Sequence, residues 1–118
     1  RASIENVYFD KSKVSDSLVN RYFDLTLRKG NRKAIVDRLK VSTTLTNGTK
    51  THDNIKNIKQ PTLIIWGSDD QLIPVENGYK FKNDITNSKL IVMQQTGHVP
   101  MEEKPLISLN FAIDFLNN

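Results

Sequence analysis

The sequence contains no cysteine. Disulfide bridges and thiolate metal sites are therefore excluded, and the composition fits a reducing compartment, so a cytoplasmic location is expected. No apolar run approaches the ~18 residues of a membrane span, so no membrane partner is expected. The opening stretch, RASIENVYFD, carries no signal-peptide apolar segment and begins with Arg1 rather than methionine. The chain is thus expected to be an excised, processed or proteolytically cut piece. Histidine is scarce, His52 and His98 being the two in 118 residues. A chain of this length makes one modest domain or part of a larger one, burying roughly 65% of its unfolded surface if it folds alone.

The formal net charge is +4. Basic residues concentrate in residues 28–40, with Asp24 and Asp37 diluting them. Neither interleaved aromatics nor a nucleic-acid motif accompanies them, so a solvated helix surface is expected and nucleic acid is not.

Two textures divide the chain. Residues 1–60 are polar and helix-patterned; residues 61–118 alternate strand and helix. In the first part, Leu18, Tyr22 and Leu25 make an apolar stripe over residues 16–28, with Ser15 placed to cap it and Gly30 to end it. A second helix is predicted over residues 31–40, carrying Ile35, Val36 and Leu39. The stretch after it reads as loop, with an Asn47–Gly48 turn signal and His52 in polar surroundings. In the second part, residues 62–66 and 89–93 are short apolar runs, as strands covered on both faces require. Residues from Pro74 to Ile85 read as the helix between them, with Gly78 on its apolar face. Such a glycine costs about 1 kcal/mol against alanine, a cost justified if the helix backbone packs closely on the sheet. A last helix over residues 105–117 is apolar nearly all round and is expected to be buried on more than one side. The order is β-α-β-α with a right-handed crossover. Two parallel strands alone leave the first with an unpaired apolar edge, and Val7 to Phe9 is a short, weak candidate for a third.

Asp69 and Asp70 follow the first strand and His98 follows the second. Ligands of open parallel sheets bind beyond the carboxyl ends of the strands, where an Asp of one loop meets a His of the next. A carboxylate accepting from the imidazole Nδ1–H fixes the tautomer and leaves Nε2 as a general base. Three readings of His98 are open on the residues alone: base, metal ligand or packing. Its company of two adjacent aspartates makes no recognised metal spacing. Asp70 reads either as the partner of His98 or as a turn acid before Pro74.

QPTLIIWGSDDQLIP followed by TGHVPMEEKP resembles the C-terminal end of an α/β-hydrolase. It is most similar to the cap-bearing branch of carbon–carbon bond hydrolases, esterases, epoxide hydrolases and haloalkane dehalogenases. That branch has an acid turn Gly-x-x-Asp-x-x-(Val/Ile)-Pro, matched by Gly67, Asp70, Ile73 and Pro74. Its histidine frame Gly-His-x-x-x-x-Glu-x-Pro is matched by Gly97, His98, Glu103 and Pro105. The motifs cover residues 58–118, and the helical part before them is similar to the family's cap.

The resemblance implies an α/β class and a partial α/β-hydrolase fold. The last two parallel strands and their helices follow a helical cap segment with its linker (residues 1–60), and the first half of the sheet is absent. Residues 61–118 would be the C-terminal β-α-β-α part of the core. Asp70 and His98 are implied as the acid and base of a nucleophile–His–Asp triad acting on an ester-like or activated carbonyl substrate. Leu72, Ile73 and Val99 are implied in the pocket and Glu103 in a structural role at the helix start. Neither a cofactor nor a metal is implied. The sequence departs from the family in having no Gly-x-Ser-x-Gly elbow and no His-Gly-rich oxyanion loop. The piece is therefore expected to be inactive alone and to self-associate through its open strand edge. The alternative is a hydrolase-like protein that binds a ligand or partner without catalysis.

Overall fold

Pro61 and Gly67 bracket the first apolar run. In the computed structural model, which describes residues 1–45 and 53–117, strand β1 (Thr62–Gly67) lies between them. Strand β2 (Ser88–Met93) pairs with it in parallel, from Thr62 opposite Ser88 to Gly67 opposite Met93. Both strands thus finish on the same rung, which levels the two loops that follow. No third strand joins them among the described residues. Val7 to Phe9 stays outside the sheet and packs instead on the loop after β2.

The numbering of the helices runs α1 (Ala2–Glu5), α2 (Asp16–Leu27), α3 (Asn31–Leu45), α4 (Glu76–Asp84), α5 (Pro100–Glu103) and α6 (Pro105–Leu116). The crossover helix α4 starts two residues after Pro74 and buries Gly78. A Cβ at that position would stand 3.2 Å from the Trp66 ring. Close packing on the sheet is therefore what the glycine permits. Helix α5 is a single turn that periodicity cannot reveal, started by Pro100 at its first position.

The chain divides into two compact units, Arg1–Val14 with Ile55–Asn118, and Ser15–Asn54. The contacts thus place residues 1–14 with the strands rather than with α2 and α3. In the second unit the Ser15 hydroxyl accepts from the Leu18 amide at 3.1 Å, capping α2. Gly30 takes φ +91° in the turn before α3, which continues to Leu45 rather than stopping near Lys40. The β-branched residues from Val41 onward weaken a helix without breaking it, and no glycine or proline intervenes before Gly48. The Asn47–Gly48 signal and His52 lie outside the described residues.

The apolar core of the described residues is small: Tyr8, Val14, Ile85 and Met93 are buried, while the residues of β1 from Leu63 to Trp66 are half-buried. Helix α6 departs from expectation. Leu106 and Leu116 are 74% and 79% exposed, and Ile107, Leu109 and Ile113 are exposed as well. A two-stranded sheet offers too little surface to cover a helix apolar on every side.

Candidate active site

Gly67 determines how close the two post-strand loops come. A Cβ there would lie 2.0 Å from the Gly97 carbonyl oxygen and 2.3 Å from that of Thr96. Only the absence of a side chain lets the second loop cross directly over the end of β1. The loops are then sewn together by backbone. The Ser68 amide donates to the Met93 carbonyl at 2.9 Å, and the Asp69 amide to the Thr96 carbonyl at 3.0 Å. The Gln95 amide donates to the Ser68 hydroxyl at 3.0 Å. Gln95 pays for this path with φ +49°, and Thr96 is 0% exposed.

This juxtaposition brings Asp70 and His98 together. Asp70 Oδ2 lies 2.8 Å from His98 Nδ1. The other oxygen, Oδ1, accepts from the Leu72 and Ile73 amides, both at 2.9 Å. The two readings of Asp70 are thus both realised, one by each oxygen: it closes its own turn and it holds the histidine. The Asp70 side chain is 4% exposed and that of His98 is 35% exposed. With the carboxylate ionised, Nδ1–H donates to it and Nε2 carries the lone pair. No hydrogen bond to Nε2 occurs among the described residues. Asp69 is exposed, and among the described residues its carboxylate accepts only from the neighbouring Ser68 hydroxyl, at 2.5 Å.

A depression of about 120 Å³ opens beside the pair, lined by Ile65, Trp66, Gly67, Asp70, Ile73, His98 and Pro100. Of the three pocket residues expected from sequence, Ile73 is there, and Leu72 and Val99 are not on its lining. The Leu72 side chain is exposed instead. Val99 precedes α5, where its carbonyl accepts from the Glu102 and Glu103 amides, and its residue is half-buried. Trp66 serves both packing and the wall of the depression. Its ring packs on Gly78, its Nε1 donates to the Ile73 carbonyl at 3.1 Å, and it forms part of the depression's wall.

Glu103, expected to act at the helix start, makes no side-chain cap for α6. Its carboxylate is buried and accepts from the Gly97 amide in the loop of His98 and from the Phe9 amide in the N-terminal segment. No cluster of three His, Asp or Glu residues that could hold a metal occurs among the described residues. No helix among them is long and apolar enough to cross a membrane.

A family model for the alpha/beta hydrolase fold matches residues 8–105. The uncharacterized hydrolase YugF of Bacillus subtilis (strain 168) is 30% identical over 115 residues, which are 94% of this chain and 39% of that protein. The 2-hydroxy-6-oxo-6-(2'-aminophenyl)hexa-2,4-dienoic acid hydrolase of Metapseudomonas resinovorans is 29% identical over 108 residues, 92% of this chain and 37% of the relative. Among solved structures, a serine hydrolase involved in carbazole degradation superposes with a TM-score of 0.86 at 27% identity. That match covers 98% of this chain and 45% of the other. The chain therefore spans about two fifths of the length of these curated relatives.

Proposed function

Because the chain belongs to the α/β-hydrolase fold family, we propose that Asp70 and His98 are the acid and base of a nucleophile–histidine–acid triad. The nucleophile, on this reading, lies in the full-length protein outside these 118 residues. One observation carries it: a nearly buried carboxylate, fixed through Oδ1 by two amides, holds His98 Nδ1 at 2.8 Å through Oδ2. Nothing in ordinary packing calls for a histidine anchored at one ring nitrogen beside a depression that it helps to line.

The chemistry follows from that anchoring. A nucleophile hydroxyl attacks the substrate carbonyl carbon while its proton passes to Nε2. Asp70 stabilises the resulting imidazolium. The tetrahedral intermediate collapses, the leaving group takes the proton from Nε2, and an acyl-enzyme remains. Nε2 then takes a proton from water, the hydroxide oxygen bonds to the acyl carbon, and the nucleophile leaves with that proton. Were the nucleophile a carboxylate, His98 would act only in the water step. The substrate class is an ester-like or activated carbonyl compound. Support comes from the relative named for a 2-hydroxy-6-oxo-dienoic acid. The depression of about 120 Å³ is one wall of such a pocket, since small-molecule sites run to roughly 300–1,000 Å³. Ile73 belongs to that wall. Leu72 and Val99 join it only where the rest of the protein extends it. A cytoplasmic location belongs to the same proposal and rests on the absence of cysteine.

The test is His98→Ala in the full-length protein, assayed on a p-nitrophenyl ester and on a 2-hydroxy-6-oxo-dienoate. Loss of a positioned base lowers turnover by about 10²- to 10⁴-fold. Unchanged kcat on the better substrate sinks the assignment. The 118-residue chain by itself has no turnover on either, because it carries no Gly-x-Ser-x-Gly elbow.

A further inference from the structure

Glu103 is 3% exposed, and a carboxylate so deeply buried demands an explanation, since desolvating the charge is costly unless hydrogen bonds replace the water. Among the described residues its partners are all backbone amides, and they come from two separated segments. Oε1 accepts from the Gly97 amide at 2.5 Å. Oε2 accepts from the Phe9 amide at 3.0 Å and the Asp10 amide at 3.3 Å. The same two segments meet again one residue further on, where the His98 amide donates to the Val7 carbonyl at 2.8 Å. Gly97 fits between them only as glycine, because a Cβ would lie 2.5 Å from the Val7 oxygen and 2.9 Å from Oε1. On the outer side, Lys13 Nζ donates to the Glu103 carbonyl at 2.5 Å.

We propose that Glu103 is a positioning residue of the site: its carboxylate ties the Gly97 amide to the Phe9 and Asp10 amides and so fixes the main chain from which the His98 imidazole projects. The inference rests on the reading of His98 as the base. Asp70 fixes the ring from its Nδ1 end, and the Glu103 clamp fixes it from its Cα end. Each constraint alone leaves the imidazole a rotation; together they leave one orientation. Glutamate suits the task because one carboxylate offers two acceptor oxygens to amides approaching from different directions, with no donor to repel either.

Glu103→Gln is the informative change. It is nearly isosteric and keeps the packing, but one acceptor becomes an NH₂ group facing an amide. In the full-length protein, kcat per folded molecule is expected to fall about 10- to 100-fold with KM within about twofold, the signature of a misplaced group. The downfield Nδ1–H proton signal of His98, which reports the bond to Asp70, is expected to broaden or vanish. A purely structural glutamate would lower the melting temperature and leave both readouts unmoved, and that outcome overturns the proposal. Should Glu103→Gln not fold, hydrogen exchange on the unaltered protein decides. Slow exchange of the Phe9 and Gly97 amides supports the clamp, and exchange as fast as in exposed loops overturns it. The two proposals fail separately. If His98→Ala retains full turnover, the base reading falls whatever Glu103 does. If His98→Ala is inactive and Glu103→Gln retains kcat and the proton signal, only the clamp falls.

Discussion

A single carboxylate at position 70 serves two ends, and substitution can separate them. Asparagine keeps an acceptor for the Leu72 and Ile73 amides, so Asp70→Asn should fold and melt close to the parent. It loses the charge that holds Nδ1–H, and in an enzyme built this way kcat should fall by about 10³- to 10⁴-fold. Asp70→Ala removes both functions and should in addition cost about 1–3 kcal/mol, because two amides lose their acceptor. Equal melting temperatures for the two variants would refute this division of labour. Gly67 makes the complementary case. Gly67→Ala forces a Cβ to within 2.0 Å of a carbonyl oxygen, so the loop carrying His98 must lift away from β1. We expect loss of turnover even in molecules that remain folded. Gly67, Asp70, Gly97 and His98 could be singled out in the sequence because two motifs that resemble those of a known family name these positions, and the structure brings Asp70 and His98 within 2.8 Å. The partners of Glu103 could not be singled out. Phe9 and Gly97 are 88 positions apart in the chain (97 − 9 = 88), and backbone amides leave no trace in residue identity.

Elements were legible where punctuation is strong and blurred where it is weak. Pro61, Gly67 and Pro105 mark ends that the structure keeps within a residue. The end of α3 carries no such mark before Gly48, and the helix runs on to Leu45. Helix α4 shows how an unfavourable residue is justified by packing. Gly78→Ala would ordinarily gain about 1 kcal/mol of helix propensity. Here the new methyl meets the Trp66 ring at 3.2 Å, and that ring is tethered by its Nε1 bond to Ile73 and packed against Phe81. The gain should therefore not appear, and thermal denaturation of the full-length variant should show no rise in melting temperature. A rise of several degrees would mean that Trp66 yields freely. The short 3₁₀ turn Lys11–Lys13 offers a titration. Its cap, Asp10, has its pKa lowered from 3.8 by the Ser12 hydroxyl first and the Ser12 amide second. A lowered folded-state value contributes stability that is complete above the unfolded pKa and is lost as pH falls through the folded one. Ser12→Ala should move the Asp10 pKa back toward 3.8, read by NMR of its carboxylate carbon, and an unchanged value would count against the hydroxyl as the main cause.

On the scale of the whole molecule, the described residues carry more apolar surface than they can cover. Strand β1 pairs on one edge only, its middle residues are half-buried, and α6 exposes leucines at both ends. Open edges and apolar faces of this kind pair with whatever is available. In the full-length protein the remainder of the fold is the natural cover, as the coverage of about two fifths of each relative suggests. Separated from it, the 118-residue chain has only other copies of itself, and we expect it to self-associate. Its net charge of +4 opposes this weakly, because at 0.1 M salt charges are screened beyond about 10 Å. The salt response therefore identifies the driving force. Association through apolar contact and strand pairing should persist or strengthen as salt is raised, whereas association through the basic residues of positions 28–40 should weaken. Leu106→Lys with Leu116→Lys then divides the apolar contribution. Both side chains are largely exposed, so the double change leaves the core untouched and should reduce association only in part, with the β1 edge sustaining the rest. Light scattering that finds a compact monomer at high concentration and high salt would refute the prediction, and complete abolition by the two lysines would assign the association to α6 rather than to the strand.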